Sequence, residues 1–277
     1  MITEPLRYML VAKVYSYQDH HSKAVRVLSE GIAKHPDSGM LYRHRGHFNI
    51  SIREFDAAVA DFSRSVALLD GQPDEIEYYQ AELMPEVERL LLGQEPQLLN
   101  GPTLITADNL AKLRDVYKGT LLSSTWYHYG LAHYLRGEFD EAAAKYRTTL
   151  EYCVDDDMTV ATTDWLYMSL QRAGRRDEAA KLLETTSLDM HINEPSYYRR
   201  MELYKGVAAP ESVLSPNDGD TKTLATQGYG VGNWYLYNGH QEEARKVFER
   251  IIAVGARAAF GTIAAEVDLA RMARARS

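Results

Sequence analysis

A single phrase recurs along the chain and limits what it can become. Gly137-Glu-Phe-Asp-Glu141-Ala142 returns as Gly174-Arg-Arg-Asp-Glu178-Ala179 and as Gly239-His-Gln-Glu-Glu243-Ala244. A version without glycine reads Arg53-Glu-Phe-Asp56-Ala57-Ala58. Each part has a physical reading. The glycine ends a helix in the left-handed conformation, the acidic residues suit the positive first turn of the next helix, and the alanine lets two helices approach closely. The phrase predicts a helix-turn-helix hairpin, repeated.

Flanking residues extend the match. The clearest copy is Trp126-x2-Tyr129-Gly130-x2-His133 followed by Gly137, Ala142 and Tyr146. Tyr8-x2-Val11-Ala12-x2-Tyr15 precedes Ala24-x3-Leu28 and Pro36, and Tyr42-x2-Arg45-Gly46 precedes Ala58-x3-Phe62, so Ala24 and Ala58 lie 34 residues apart. Leu166, Gly174, Ala179 and Leu183 form a fourth copy, with bulky Tyr167 at the small position. Val231-Gly232-x2-Tyr235, Gly239 and Ala244-x3-Phe248 form a fifth. On these residues the chain resembles the tetratricopeptide repeat (TPR) family, whose 34-residue unit carries this pattern.

The resemblance implies an all-α fold: a right-handed superhelix of TPR hairpins forming one solenoid domain over 1–277, with first helices lining a concave groove. The repeats cover about 5–38, 39–70, 123–156, 160–186 and 225–256. Residues 257–275 read as a capping helix with Phe260, Ile263, Ala264 and Val267 as its buried stripe. Arg271, Arg274 and Arg276 suit its negative end.

Ala58 to Ala142 spans 84 residues and Ala179 to Ala244 spans 65, so two insertions interrupt the array, at about 71–121 and 187–223. In the first, Glu75 to Leu92 reads as a helix that Pro85 kinks or breaks, and Leu104 to Tyr117 as another. In the second, Glu194 to Lys205 reads as a tyrosine-rich helix before a loop. Each insertion is either a degenerate repeat or a cover over the groove.

The family register carries groove-facing positions onto Arg43 and His47, then Tyr127, Leu131 and Tyr134, then Asp164, Met168 and Arg172, then Tyr229, Asn233 and Tyr237. His128 joins them as a possible acid-base partner of Asp164, and Tyr197, Tyr198 and Lys205 as residues by which the second insertion would reach inward. Arg43 and His47 stand one turn apart and could together hold a carboxylate or phosphate. Some TPR domains hold a chaperone's C-terminal tail in a carboxylate clamp, but this chain departs from that pattern with Met9 and Lys13 in the first copy and Arg43 and His47 in the second.

The resemblance therefore implies a non-catalytic adaptor that binds a partner peptide or protein segment. The alternatives are a regulatory protein that binds a small molecule under the insertions, or an enzyme using that enclosed pocket. The net charge of −8 argues against a nucleic-acid binder. Nothing points to a cofactor. One cysteine, Cys153, and the absence of a converging histidine motif point to no metal, and Asp155-Asp156-Asp157 reads as a helix cap. Gly228-Tyr-Gly-Val-Gly232 lacks the context of a nucleotide-binding loop. No stretch has the ~20 apolar residues of a membrane span, and the N-terminus has no signal-peptide pattern, so the expected compartment is the cytoplasm.

Overall fold

The computed structural model describes residues 4–77, 80–94, 119–187, 190–193, 195–214 and 221–275. The helix expected over Leu104–Tyr117 lies outside them. Helices in chain order are α1 (Glu4–Tyr17), α2 (His21–Lys34), α3 (Gly39–Ser51), α4 (Phe55–Leu69), α5 (Gln80–Leu91), α6 (Leu121–Arg136) and α7 (Phe139–Glu151). They continue as α8 (Asp156–Arg172), α9 (Arg176–Thr185), α10 (Pro195–Tyr204), α11 (Pro210–Val213), α12 (Thr221–Tyr237), α13 (Gln241–Val254) and α14 (Phe260–Arg274). The described residues contain no β-strand, and an isolated antiparallel bridge joins Ile76 to Thr120. The described residues are all-α, built from helix-turn-helix hairpins.

Five turns share one construction. Gly137, Gly174 and Gly239 have φ of 86°, 76° and 86°, and the positions without glycine, Asp19 and Arg53, take the same left-handed conformation at 58° and 68°. In each turn the next residue donates its N–H to the carbonyl five residues back, as in Glu138 to His133 at 3.0 Å and Glu54 to Asn49 at 2.9 Å. That bond satisfies a carbonyl which the helix end would leave bare. The alanine four residues further on donates back to the start of the second helix, as in Ala58 to Glu54 and Ala244 to His240. Ala24, Ala58, Ala142, Ala179 and Ala244 are all fully buried. Local backbone chemistry thus sets both the turn and the contact point.

The contact inside a hairpin requires a small residue facing an aromatic one. A Cβ at Gly46 would stand 2.9 Å from Phe62 Cζ, and one at Gly232 would stand 2.4 Å from Phe248 Cε1. The glycine-rich phrase of α12 is explained the same way. Gly228 faces Ile251, Gly230 faces the Arg200 side chain and Gly232 faces Phe248. None is part of a loop.

The chain divides into two compact units: residues 1–132 with 148–155, and residues 133–147 with 156–277. In the first, α1 to α4 pack as consecutive antiparallel neighbours, and α5 leans on α1. Met9, Leu10, Leu28, Leu41, Phe48 and Leu83 are central to its core. The first insertion closes at its base, where Glu77 N–H donates to Gly119 O at 2.9 Å and Leu121 N–H to Glu75 O at 2.7 Å. Asp74 accepts from Leu122 N–H at 2.9 Å. The sequence reading of Glu75–Leu92 as one helix is corrected here: residues 75 and 76 are extended, and the helix starts at Gln80 and carries Pro85 inside it.

In the second unit α10, from the second insertion, packs on both α8 and α12. Tyr167, too large for the small position, stacks on Tyr204 of α10 with centroids 4.4 Å apart. The acidic run serves as more than a cap: Asp156 accepts from His191 N–H at 2.9 Å, and Asp157 from Asn193 N–H at 3.0 Å. The terminal helix α14 packs on α12 and α13. Its buried face is rotated from the expected stripe, because Asp268 is 1% exposed while Val267 is only half-buried.

Close helix approach makes two glycine substitutions costly. Gly232→Ala should lower unfolding free energy by about 1–3 kcal/mol through overpacking against Phe248. Gly261→Ala should sit at the upper end, since its Cβ would meet the backbone oxygen of Ala225 at 2.1 Å. Urea unfolding of the two variants measures both effects.

Candidate functional site

In the first unit, the first helices of three hairpins bring polar side chains to one centre. Lys13 comes from α1, Arg43, His44 and His47 from α3, and Tyr127 and His128 from α6. Into this centre the first insertion places Glu77. Arg43 Nη2 donates to Glu77 Oε2 at 2.7 Å, and Arg43 Nη1 lies 3.1 Å from His44 Nδ1. Lys13 Nζ and His44 Nε2 stand 3.9 and 3.7 Å from Glu77 Oε1. The His47 and His128 rings are 4.7 Å apart, and His128 Nδ1 donates to Ser124 O at 2.6 Å. The edge of Tyr127 meets His128 at 5.3 Å. Arg43, His44, Glu77 and His128 are each less than a tenth exposed.

Burial and charge act together on these groups. Desolvation lowers Lys13 to about 8, with Glu77 opposing it. His44 and His47 are held well below the ordinary imidazole value by burial first, with Arg43 and Lys13 adding to the effect. His128 falls to about 3 for the same causes, against its bond to Ser124. The three rings are neutral near pH 7, so among the described residues of this centre the cations are Lys13 and Arg43, facing Glu77. Among the described residues no three histidine, cysteine or carboxylate side chains converge as metal ligands.

In the second unit, Asp164, Met168 and Arg172 are joined to partners that the repeat register does not contain. Asp164 and Arg200 form a buried ion pair at 2.8 Å, with 0% and 1% of their side chains exposed. Arg200 also approaches Met168 Sδ at 2.9 Å and the Tyr204 hydroxyl at 3.4 Å, and donates to Thr226 O at 3.2 Å. Its guanidinium lies over Tyr197 at 5.4 Å. Burial raises Asp164 to about 6, with Arg200 pulling it down. Tyr237 meets Tyr167 edge-on at 6.2 Å.

Arg172 grips Asp268 through both terminal nitrogens at 2.9 Å and donates to Asn233 Oδ1 at 3.1 Å. Tyr229 donates to Asp268 at 2.9 Å, and its hydroxyl is 2.8 Å from that of Tyr134. Arg271 joins Asp268 at 2.9 Å and donates to the carbonyl of Leu135 at 2.7 Å and to that of Tyr134 at 3.3 Å. It neutralises the end of α6 rather than that of its own helix. Lys205 Nζ donates to Thr186 O at 2.5 Å, and Tyr198 is half-buried.

Sequence reasoning missed Glu77, Arg200 and Asp268. Two of them left a signal: Asp268 follows buried Ala264 by four residues, and Arg200 shares a helix face with Tyr197 and Tyr204, so each is a charge set in an otherwise apolar stripe. Glu77, on an extended segment, left none.

The histidines predict a pH effect. Their folded pKa values lie below the ordinary 6.5, so the unfolded chain takes up protons first and stability falls as pH drops below about 6.5. Asp164, raised to about 6, and Asp74, also raised by burial, act oppositely at lower pH, two groups against these three imidazoles and that of His21, which burial lowers too. The denaturation midpoint should therefore fall between pH 7 and 5. His128→Gln should flatten the slope by about one proton, roughly 1.4 kcal/mol per pH unit. Urea titrations at stepped pH measure this.

No protein-family model matches the chain, and no curated protein matches it. Two solved structures are similar to it, both of a Podosopora anserina putative kinesin light chain with nearly identical TPR-like repeats. One, a point variant, shares 14% identity at a TM-score of 0.46, covering 93% of this chain and 98% of that one. The other shares 14% identity at 0.45, with 92% and 98% covered. The described residues contain no helix long and apolar enough to cross a membrane.

Proposed function

We propose that the protein is a non-catalytic binding protein that holds an acidic group of a partner segment at the Lys13–Arg43–His128 centre. The supporting observation is the convergence of the first helices of two hairpins on one buried carboxylate, Glu77, with Lys13 and Arg43 both directed at it and His128 of a third hairpin against His47 of the second. That is the chemistry needed to recognise an acidic side chain or a chain terminus. Arg43 supplies a permanently charged fork and Lys13 a second cation. Tyr127 and the neutral His128 ring, in edge contact beside it, add apolar surface with polar tips. In the second unit Tyr134, Asp164, Met168, Arg172, Tyr197, Tyr229, Asn233 and Tyr237 would act by shaping the first-helix face, since the partners described above lie inside that unit.

The enclosure of the centre favours a second reading, a small carboxylate-bearing molecule as ligand. Polar groups buried to this degree suit a compact ligand better than an extended segment. The expected setting for either is the cytoplasm.

Selection of displayed random peptides against the full chain tests the first reading. Sequences rich in Asp or Glu, or ending in a required free carboxylate, should be enriched, and Arg43→Glu should weaken the best of them by about tenfold or more. Failure to enrich acidic peptides, or equal binding by Arg43→Glu, would contradict it.

A further inference from the structure

Glu77 fits its site imperfectly. It meets Arg43 through Nη2 alone, while Arg43 Nε is buried with no hydrogen-bond partner among the described residues. A carboxylate free to position itself could take Nε and Nη2 together in the side-on bidentate geometry that guanidinium favours. Lys13, at 3.9 Å, is beyond hydrogen-bond distance from Glu77. The cations belong to α1 and α3, which build the core of the unit, whereas Glu77 lies on an extended segment fastened through Gly119 and Leu121 at the base of the first insertion. The scaffold and its occupant are thus separate pieces of chain.

We infer that Glu77 is a built-in occupant of a carboxylate-binding site formed by Lys13, Arg43 and His44, and that an external carboxylate binds by taking its place. The inference rests on the reading of this centre as the site of anion recognition. The space that such a ligand needs is the space that the Glu77 side chain fills. The positive charges of Lys13 and Arg43 supply the attraction. The first insertion then acts as a competitor for the ligand, and a partner must offer a better-placed carboxylate than the chain's own.

Chemical rescue tests this on the full chain without knowledge of the natural ligand. Glu77→Ala should melt below the unsubstituted protein, because Arg43 is left buried beside no carboxylate. Sodium acetate at about 50 mM should restore about half of the lost midpoint, by binding the folded state, while sodium chloride of equal ionic strength does not. Adding Arg43→Gln should abolish the effect.

If Glu77→Ala does not fold, Glu77→Gln keeps the shape of the side chain. Acetate should then shift the signal of 13C-methylated Lys13 in Glu77→Gln, but not in the unsubstituted protein at the same concentration. Tetra-alanine with a free C-terminus, compared with its amide, separates the sources: rescue by the free peptide indicates a chain terminus, and rescue by acetate alone a small acid. Either supports the inference. No advantage of acetate or free peptide over chloride would overturn it, whatever peptide selection shows. Failure of peptide selection alongside successful rescue would overturn only the partner-segment reading.

Discussion

A buried charge needs a counter-charge, and although Arg45 and Asp61 pair within one hairpin, three other first-helix charges of this protein find theirs outside the repeats. In the first unit, Arg43 on α3 is neutralised by Glu77 of the first insertion. In the second, Asp164 on α8 is neutralised by Arg200 of the second insertion, and Arg172 by Asp268 of the terminal helix. The desolvation of an ion is worth several kcal/mol, so each of these helices depends on a segment outside the repeat pattern. The insertions are therefore structural complements of the array.

That dependence explains why α10 is seated where it is. Gly230 leaves room for the Arg200 side chain, since a Cβ there would lie 2.0 Å from Nε. Tyr167 exchanges the small contact of the other hairpins for a stacked pair with Tyr204. A glycine gained on α12 and a bulky residue gained on α8 serve one purpose, which is to admit a helix carrying a guanidinium. The tyrosines of this unit follow the same logic. Tyr229 carries its hydroxyl to Asp268, where a phenylalanine would leave the carboxylate one donor short, and Tyr134 bonds to that hydroxyl in turn.

The fold was legible wherever its cause is local. The left-handed turn, the bonds that close it and the buried alanine are fixed within about eight residues, so Gly137, Gly174, Gly239 and their alanines could be read directly, and even Arg53 betrayed its turn through the residues around it. The site was legible only in half. The family resemblance singled out Arg43, Asp164 and Arg172, but their partners lie 34, 36 and 96 residues away along the chain, on segments outside the repeats that the pattern does not mark. The terminal helix shows the difference within one element: its position and length followed from sequence, while Asp268 turned its buried face toward Arg172.

The most direct test of the counter-charge account is a double-mutant cycle on Asp164 and Arg200, read by urea unfolding of Asp164→Asn, Arg200→Gln and the double variant. The account predicts that each single change costs about 3–5 kcal/mol, because it leaves the other charge buried alone. The double variant should lose no more than either single change, giving a coupling of several kcal/mol. Additive costs, with a coupling near zero, would show that the insertion helix is held by its apolar contacts and that the buried pair does not seat it.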